Sequence, residues 1–402
     1  MPSLPMYGEI APASPSQSMP LLAKGFRPFF VLAAGFAASI VPLWVLFYLG
    51  FGSPPTYLDP TYWHAHEMLF GFTSAVIAGF LLTAVGNWTS RETLTGAPLG
   101  ALATIWLMGR IAMTFGSGLP KLVLAGIDLL FLPLLVVVLA RPIVASKNKR
   151  NGVMLGFLAL LFFANLAIHL DALGFAPGWR RRGALVALDV VILMISVIAG
   201  RVFPMFTRNA TSVQGIRSRP RLDVAAVVLM ALLTLLDALD TNLKAISFVA
   251  ALAGAFAFAR MLTWGGAHTF REPMLWVLHI GYLWVPVGLF LRVASQVWPR
   301  ILPSIGLHAL AVGAVGTLTL GMMARVTLGH TGRTIVASGA IAASFVAITI
   351  SAVVRVVGAI AFPLSNQTVI TAAGTFWTFA FVLFLAANIP ILFRGRVDGK
   401  IG

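Results

Sequence analysis

Apolar and polar positions alternate along this chain in long blocks. Twelve apolar stretches begin near Pro28, Ala65, Pro98, Leu119, Gly152, Gly183, Leu222, Leu243, Pro273, Pro303, Thr334 and Thr368. Each closes roughly 18 to 25 residues later, the length that carries a helix across a hydrocarbon core. The pattern predicts an all-α, polytopic integral membrane protein of about twelve transmembrane helices in one bundle. Residues 1–27 form a cytoplasmic N-terminal tail, 28–393 the helical domain and 394–402 a cytoplasmic C-terminal tail.

Composition agrees with this reading. Of 402 residues 59% are hydrophobic and only 10% charged, and the mean hydropathy is +0.94. Soluble domains carry about 25% charged residues. The 38 glycines and 23 prolines suit membrane helices, in which small residues let backbones approach closely. Residues 1–20 are rich in proline and serine and lack the charged, then apolar, then small-residue order of a cleaved signal.

The net charge of +16 does not point to nucleic acid, because lysines and arginines fall between the apolar runs and form no basic domain. Their placement is a topology signal instead. Alternate loops on one side carry Arg91, Arg141, Lys147, Lys149, Arg150, Arg208, Arg271 and Arg333, among others. The opposite loops carry Lys121, Arg180, Arg181, Arg182, Lys244 and Arg300. The excess on the first side puts both termini in the cytoplasm. Three consecutive arginines at 180–182 are the exception to that rule.

Without cysteine there is no disulfide, no thiolate metal site and no thioether-linked haem. Any metal or haem is left to His, Met or carboxylate. Ionisable groups at membrane depth are costly and mark functional pathways. The densest group is Trp63-His64-Ala65-His66-Glu67 at the mouth of the second span. On a helix His64 and His66 stand about 200° apart, whereas His64 and Glu67 share a face. A helical start therefore assigns His64 and Glu67 to one site and His66 to another; an extended start permits a clamp of both imidazoles.

His169, four residues after Asn165, and His308 lie at the same outer level as His64 and His66, so these four are candidates to converge on a metal. His279 sits among Trp276, Tyr282 and Trp284 in the inner half of the ninth span, as an axial ligand or a packed core histidine. His330 lies at the cytoplasmic end between Arg325 and Arg333, which suit haem propionates, anionic lipid or the charge rule alike. Arg201 and Arg208 flank the Pro204 kink of the sixth span, where a cation would neutralise a propionate. Arg110 and Asp128 stand at comparable depth and are expected to pair. Glu67, and Asp189 in the sixth span, which lacks an obvious partner, are the candidate proton carriers for catalysis. His66-x4-Gly71-x7-Gly79 is echoed by His308-x4-Gly313-x7-Gly321.

Several motifs together resemble the NnrS family: Gly25-Phe26-Arg27-Pro28-Phe29-Phe30, His64-Ala65-His66-Glu67-Met68-Leu69-Phe70-Gly71-Phe72, Gly200-Arg201-Val202-Phe203-Pro204-Met205, Leu278-His279-Ile280-Gly281-Tyr282 and Leu328-Gly329-His330-Thr331-Gly332-Arg333. The resemblance runs almost end to end. It implies a bacterial inner-membrane protein of twelve helices that contains haem and copper and is linked to denitrification and nitric oxide tolerance. The absence of thiols suits a b-type haem held by imidazole and a copper held by nitrogen.

On this reading the protein binds nitric oxide and reduces or otherwise detoxifies it in the manner of an oxidoreductase. Electrons come from a quinol or a partner protein, since the chain has no soluble electron-entry domain. Two other classes compete: a proton-coupled secondary transporter, and a haem sensor or metal-handling protein without turnover.

Overall fold

The computed structural model describes residues 19–400 except 148, 212 and 214. The first 18 residues of the expected N-terminal tail and the side chains of Lys149 and Arg150 lie outside that description. The described chain is helical, and no strand occurs in it.

Eleven helices are long and apolar enough to cross a membrane. They are α1 (Phe26–Tyr48), α2 (Pro60–Thr89), α3 (Gly96–Phe115), α4 (Lys121–Ala145), α5 (Asn151–Ala172), α6 (Trp179–Thr211), α8 (Leu243–Trp264), α9 (Pro273–Ala294), α10 (Pro303–His330), α11 (Gly339–Ala361) and α12 (Pro363–Leu392). The twelfth, α7 (Pro220–Ala238), has 19 residues and carries Arg221, Asp223 and Asp237. Its two carboxylates are met by arginines of neighbouring helices. Asp223 lies 3.5 Å from Arg260 of α8 near one end, and Asp237 2.6 Å from Arg292 of α9 near the other. It therefore runs the length of the bundle beside α6 and α8.

Successive helices pack side by side, and α12 returns to close on α1. Through the middle run α2, α6 and α10, of 30, 33 and 28 residues, the most enclosed helices of the bundle. One end, the terminal face, holds the start of α1 and the end of α12, tied together where Arg27 donates to the carbonyls of Leu392 at 2.8 Å and Arg394 at 2.7 Å. The other end, the distal face, carries the loops 49–59, 173–178, 239–242 and 295–302. There the three consecutive arginines find acids: Arg180 pairs with Asp59 and Asp171, each at 2.7 Å, and Arg182 with Asp240 at 2.8 Å. Local compensation explains a basic run on the charge-poor side.

Local chemistry starts the helices that matter for the site. Asp59 caps α2 by accepting from the Tyr62 amide at 3.2 Å, and Pro60 takes the first position, where no amide hydrogen is needed. Close approach of α9 to α10 rests on glycine. A methyl group on Gly313 would sit 2.4 Å from the Trp284 ring, and one on Gly281 2.7 Å from Leu318.

Both central helices that carry the sequence echo change pitch at the same place. In α2 a π-helical segment, Glu67–Thr73, follows His66 directly. In α10 another, Ala309–Gly316, follows His308 directly. A third, Val354–Gly358, interrupts α11. Such segments are rare and gather at functional sites. The echo thus has a backbone counterpart, eight helices apart rather than the six of a transporter repeat.

Candidate functional site

The second helix is the wall between two sites near the distal face. Because α2 is helical from Pro60, His64 and His66 point to opposite sides of it, and the clamp of both imidazoles does not form. The four outer histidines do not converge on one centre. They split into two pairs, His66 with His169 and His64 with His308.

The first pair lies in a buried polar cluster between α2, α3, α4 and α5. His66 Nδ1 is 2.9 Å from Glu67 Oε1, and His66 Nε2 is 3.0 Å from Asn165 Oδ1 and 3.2 Å from Asp128 Oδ2. Arg110 donates to Glu67 Oε1 at 2.7 Å and to Asp128 Oδ1. Asn165 Nδ2 donates to Asp128 Oδ2 at 2.7 Å, as does His169 Nε2 at 3.0 Å. Tyr57, from the loop before α2, closes the chain 2.8 Å from His169 Nδ1.

Donor and acceptor counting fixes the protons. Asp128 can only accept, so Asn165 turns its amide nitrogen to Asp128 and its oxygen to His66. Both nitrogens of His66 then face acceptors, and the ring fits there as an imidazolium. Two positive groups, Arg110 and His66, balance two negative ones, Glu67 and Asp128, which lets fully buried charge persist. Burial, reinforced by the Asp128 carboxylate, pushes the Tyr57 phenol above its usual range. It stays protonated and donates to His169.

One ligand atom each from His66, Asp128 and His169 lie within 4.8 Å of one another, an imidazole and carboxylate set with the reach of a metal site. Glu67 belongs here with His66, not with His64 as helical spacing suggests. Arg110 explains the difference, since its guanidinium draws the carboxylate toward α3 and Coulomb attraction in a buried site outweighs the angle on an ideal helix. Arg110 and Asp128 do pair, yet as the centre of the cluster. Their equal depth below the distal face was the readable signal; Tyr57, a loop residue, gave none.

On the other side of α2 lies a cavity of about 580 Å³, within the range of roughly 300–1,000 Å³ of small-molecule and cofactor sites. Its walls include His64, Trp44, His308, Trp377, Arg292 and Arg355. The His64 ring stacks on Trp44, with centroids 4.8 Å apart and planes inclined by 16°, and its buried Nδ1 has no partner among the described residues. His308 Nδ1 lies 2.7 Å from the Ser304 carbonyl, which requires the proton on that nitrogen and leaves Nε2 with the lone pair. A metal-ligating imidazole is commonly oriented by such a bond. Arg355, in the π segment of α11, approaches His308 Nδ1 at 3.3 Å and has no carboxylate partner among the described residues.

The remaining candidates lie elsewhere. Asp189 has a partner after all, Arg292 at 3.0 Å, which also holds Asp237. Arg292 and Asp237 line the cavity, and Arg292 on α9 reaches Asp189 over 103 residues of sequence. His279 is in the terminal half, 2.9 Å from Thr207 Oγ1 and packed on Phe203. His330 packs on Phe26 at the terminal face. Arg201 reaches Asn151, Arg325 lies over the Phe206 ring at 3.9 Å, Arg333 is near the Thr331 carbonyl and Arg208 is exposed. None of these four arginines lines the cavity, whose arginines are Arg181, Arg182, Arg292 and Arg355.

Fold and site together define a multi-pass, all-α membrane protein with imidazoles gathered at two interior sites. The chain belongs to the NnrS family: the family's sequence model, described as NnrS protein, matches residues 20–396. It is therefore a membrane protein linked to nitric oxide stress. No curated protein matches the chain.

Proposed function

We propose that this protein binds nitric oxide inside the membrane, at a b-type haem housed in the distal cavity. The observation that carries the reading is His308. It lines a cofactor-sized cavity with Nδ1 tethered to a carbonyl and no hydrogen bond to Nε2 among the described residues, an arrangement that suits a metal ligand. His64 supplies a second imidazole to the same space, and Trp44 and Trp377 supply flat apolar walls. Arg355 offers an uncompensated guanidinium suited to a propionate. A haem held there would supply an iron able to bind nitric oxide.

Copper, the second metal of this reading, suits the donors of His66, His169 and Asp128. Arg110 already neutralises Asp128, so a cation held by that cluster would have to take the place of the protons between the imidazoles and the carboxylate. Asp237 in the cavity wall and Asp189, both held by Arg292, would be the acids that carry protons to it, and Glu67 lies on the other side of α2. Membership of the family points to a bacterial inner membrane, and the distribution of lysine and arginine supports both termini on its cytoplasmic side. A quinol or partner protein would bring electrons.

The test is an optical and EPR spectrum of the purified protein, reduced and oxidised, with and without nitric oxide, alongside iron and copper analysis. His308→Ala is expected to lose the Soret band. His64→Ala is expected to keep haem with an altered spectrum, and His169→Ala to lose copper but retain haem. Wild-type protein without a Soret band after haem-replete expression would overturn the reading. A single-turnover assay for nitrous oxide then distinguishes reduction from retention of the gas.

A further inference from the structure

Arg292, near the distal end of α9, holds two carboxylates from two other helices. Its Nη1 lies 3.0 Å from Asp189 Oδ1 of α6, and its Nη2 lies 2.6 Å from Asp237 Oδ2 of α7. The group is enclosed, the side chains of Asp189, Asp237 and Arg292 being 1%, 5% and 12% exposed. One carboxylate opposite one guanidinium ties two helices together at no net charge. A second carboxylate leaves the group one negative charge over, at a depth where uncompensated charge is costly.

The hydrogen bonds locate that excess. Asp189 and Asp237 stand within hydrogen-bonding range of each other. Buried Asp189 Oδ2 nevertheless has no donor among the described residues. Two ionised carboxylates have nothing to donate to one another, and two that share a buried site do not both ionise. A single proton between them supplies the missing donor and brings the group to neutrality with Arg292. No other lysine or arginine among the described residues pairs with either acid. Arg181 and Arg182, in the same cavity wall, face Asp240 instead, at 3.7 Å and 2.8 Å.

Access to the pair is one-sided. Towards the terminal face, one turn along each helix, stand Leu193 on α6, Leu233 on α7 and Leu289 on α9, all buried in the apolar core. Thr234, the hydroxyl on that side, donates to the Met230 carbonyl at 2.9 Å and is committed to its own helix. Towards the distal face Asp237 and Arg292 open on the cavity, whose wall continues through Ser295 to exposed Asp240. Asp189 is the inner acid of the pair and Asp237 the one in contact with the cavity.

We propose that Asp189 and Asp237 share one exchangeable proton, held by Arg292 and traded with the distal face through the cavity. Transfer to a base in the cavity takes the proton from Asp237 and leaves two carboxylates on Arg292. A proton from water at the distal face then restores the pair. The proton belongs to the two acids together, as in other closely coupled carboxyl pairs. Its use in nitric oxide chemistry rests on the function proposed above; the shared proton does not.

Infrared spectroscopy of the whole purified protein, in light and in heavy water, reads this proton whether or not haem is present. Near neutral pH, wild-type protein is expected to show a protonated-carboxyl C=O band that shifts in heavy water. Asp189→Asn and Asp237→Asn, on separate helices, are each expected to lose that band and to stay folded, because the remaining carboxylate balances Arg292. No such band in wild-type protein, or its retention in a folded variant, would overturn the shared proton. Ser247→Phe and Ser295→Trp narrow the cavity from α8 and from α9, and each is expected to slow deuterium uptake by the band. An unchanged rate in both would refute the distal route. Loss of the haem reading alone would leave the infrared result standing.

Discussion

Replacing Asp128 by leucine removes the carboxylate on which the buried cluster converges. Four donors aim at it: the guanidinium of Arg110, the amide of Asn165, and the imidazoles of His169 and His66. In the variant all four remain at full burial, and the charge balance of two against two becomes two positive groups against Glu67. Breaking a buried pair by deleting one partner costs about 3–5 kcal/mol, a fifth or more of a typical total stability of about 5–15 kcal/mol. Removing Arg110 as well, in Arg110→Leu with Asp128→Leu, leaves Glu67 opposite His66 and restores the balance. The double variant is therefore expected to cost less than the sum of the singles, with a coupling of roughly 1–3 kcal/mol. Arg180→Ala, which breaks partly exposed pairs, serves as control and is expected to cost about 1 kcal/mol or less. The assay is denaturant unfolding in mixed micelles, followed by tryptophan fluorescence. A cost for Asp128→Leu below about 1 kcal/mol, or strict additivity of the two substitutions, would refute the account of the cluster as one charge-balanced unit.

Two further outcomes follow from the geometry. Tyr57→Phe leaves His169 Nδ1 buried without a donor and is expected to cost about 1–3 kcal/mol near neutral pH. The folded-state phenol is raised, so its contribution is complete below the unfolded value of about 10 and is lost as pH rises through the folded one. Wild-type protein should accordingly lose stability above pH ~10 more steeply than Tyr57→Phe, which a melting series against pH will read. Gly313→Ala forces a methyl group to within 2.4 Å of the Trp284 ring and is expected to cost roughly 1–3 kcal/mol by overpacking, seen as a lower midpoint in the same unfolding assay.

Legibility of the site in the sequence divides along physical lines. His64, His66, Glu67, His169 and His308 stood out because a charged or imidazole group inside an apolar run is conspicuous. Their level near one face followed from counting residues along each span. Partnership was another matter. Asp189 looked unpaired because Arg292 lies three helices on, and Tyr57 looked like an ordinary loop residue until the loop folded back over His169. Arg201, Arg208, Arg325 and Arg333 were candidates by charge alone. The cavity drew instead on Arg355 and Arg292, which sit inside apolar helices at the distal end.

By itself, the chain determined helix number, alternation and fold class, because a bilayer demands long apolar segments whose backbone bonds are satisfied within each segment. It also determined the ligand chemistry: with no thiol present, only imidazole, carboxylate or thioether remained. The tertiary structure alone decided that α2 is a wall with a different histidine on each side. It also decided that Glu67 follows Arg110 rather than its helical spacing, and that the π segments of α2 and α10 line one cavity together. Those outcomes depend on which side chains from distant helices meet at one depth. Contacts between helices far apart in the chain leave no period in the sequence.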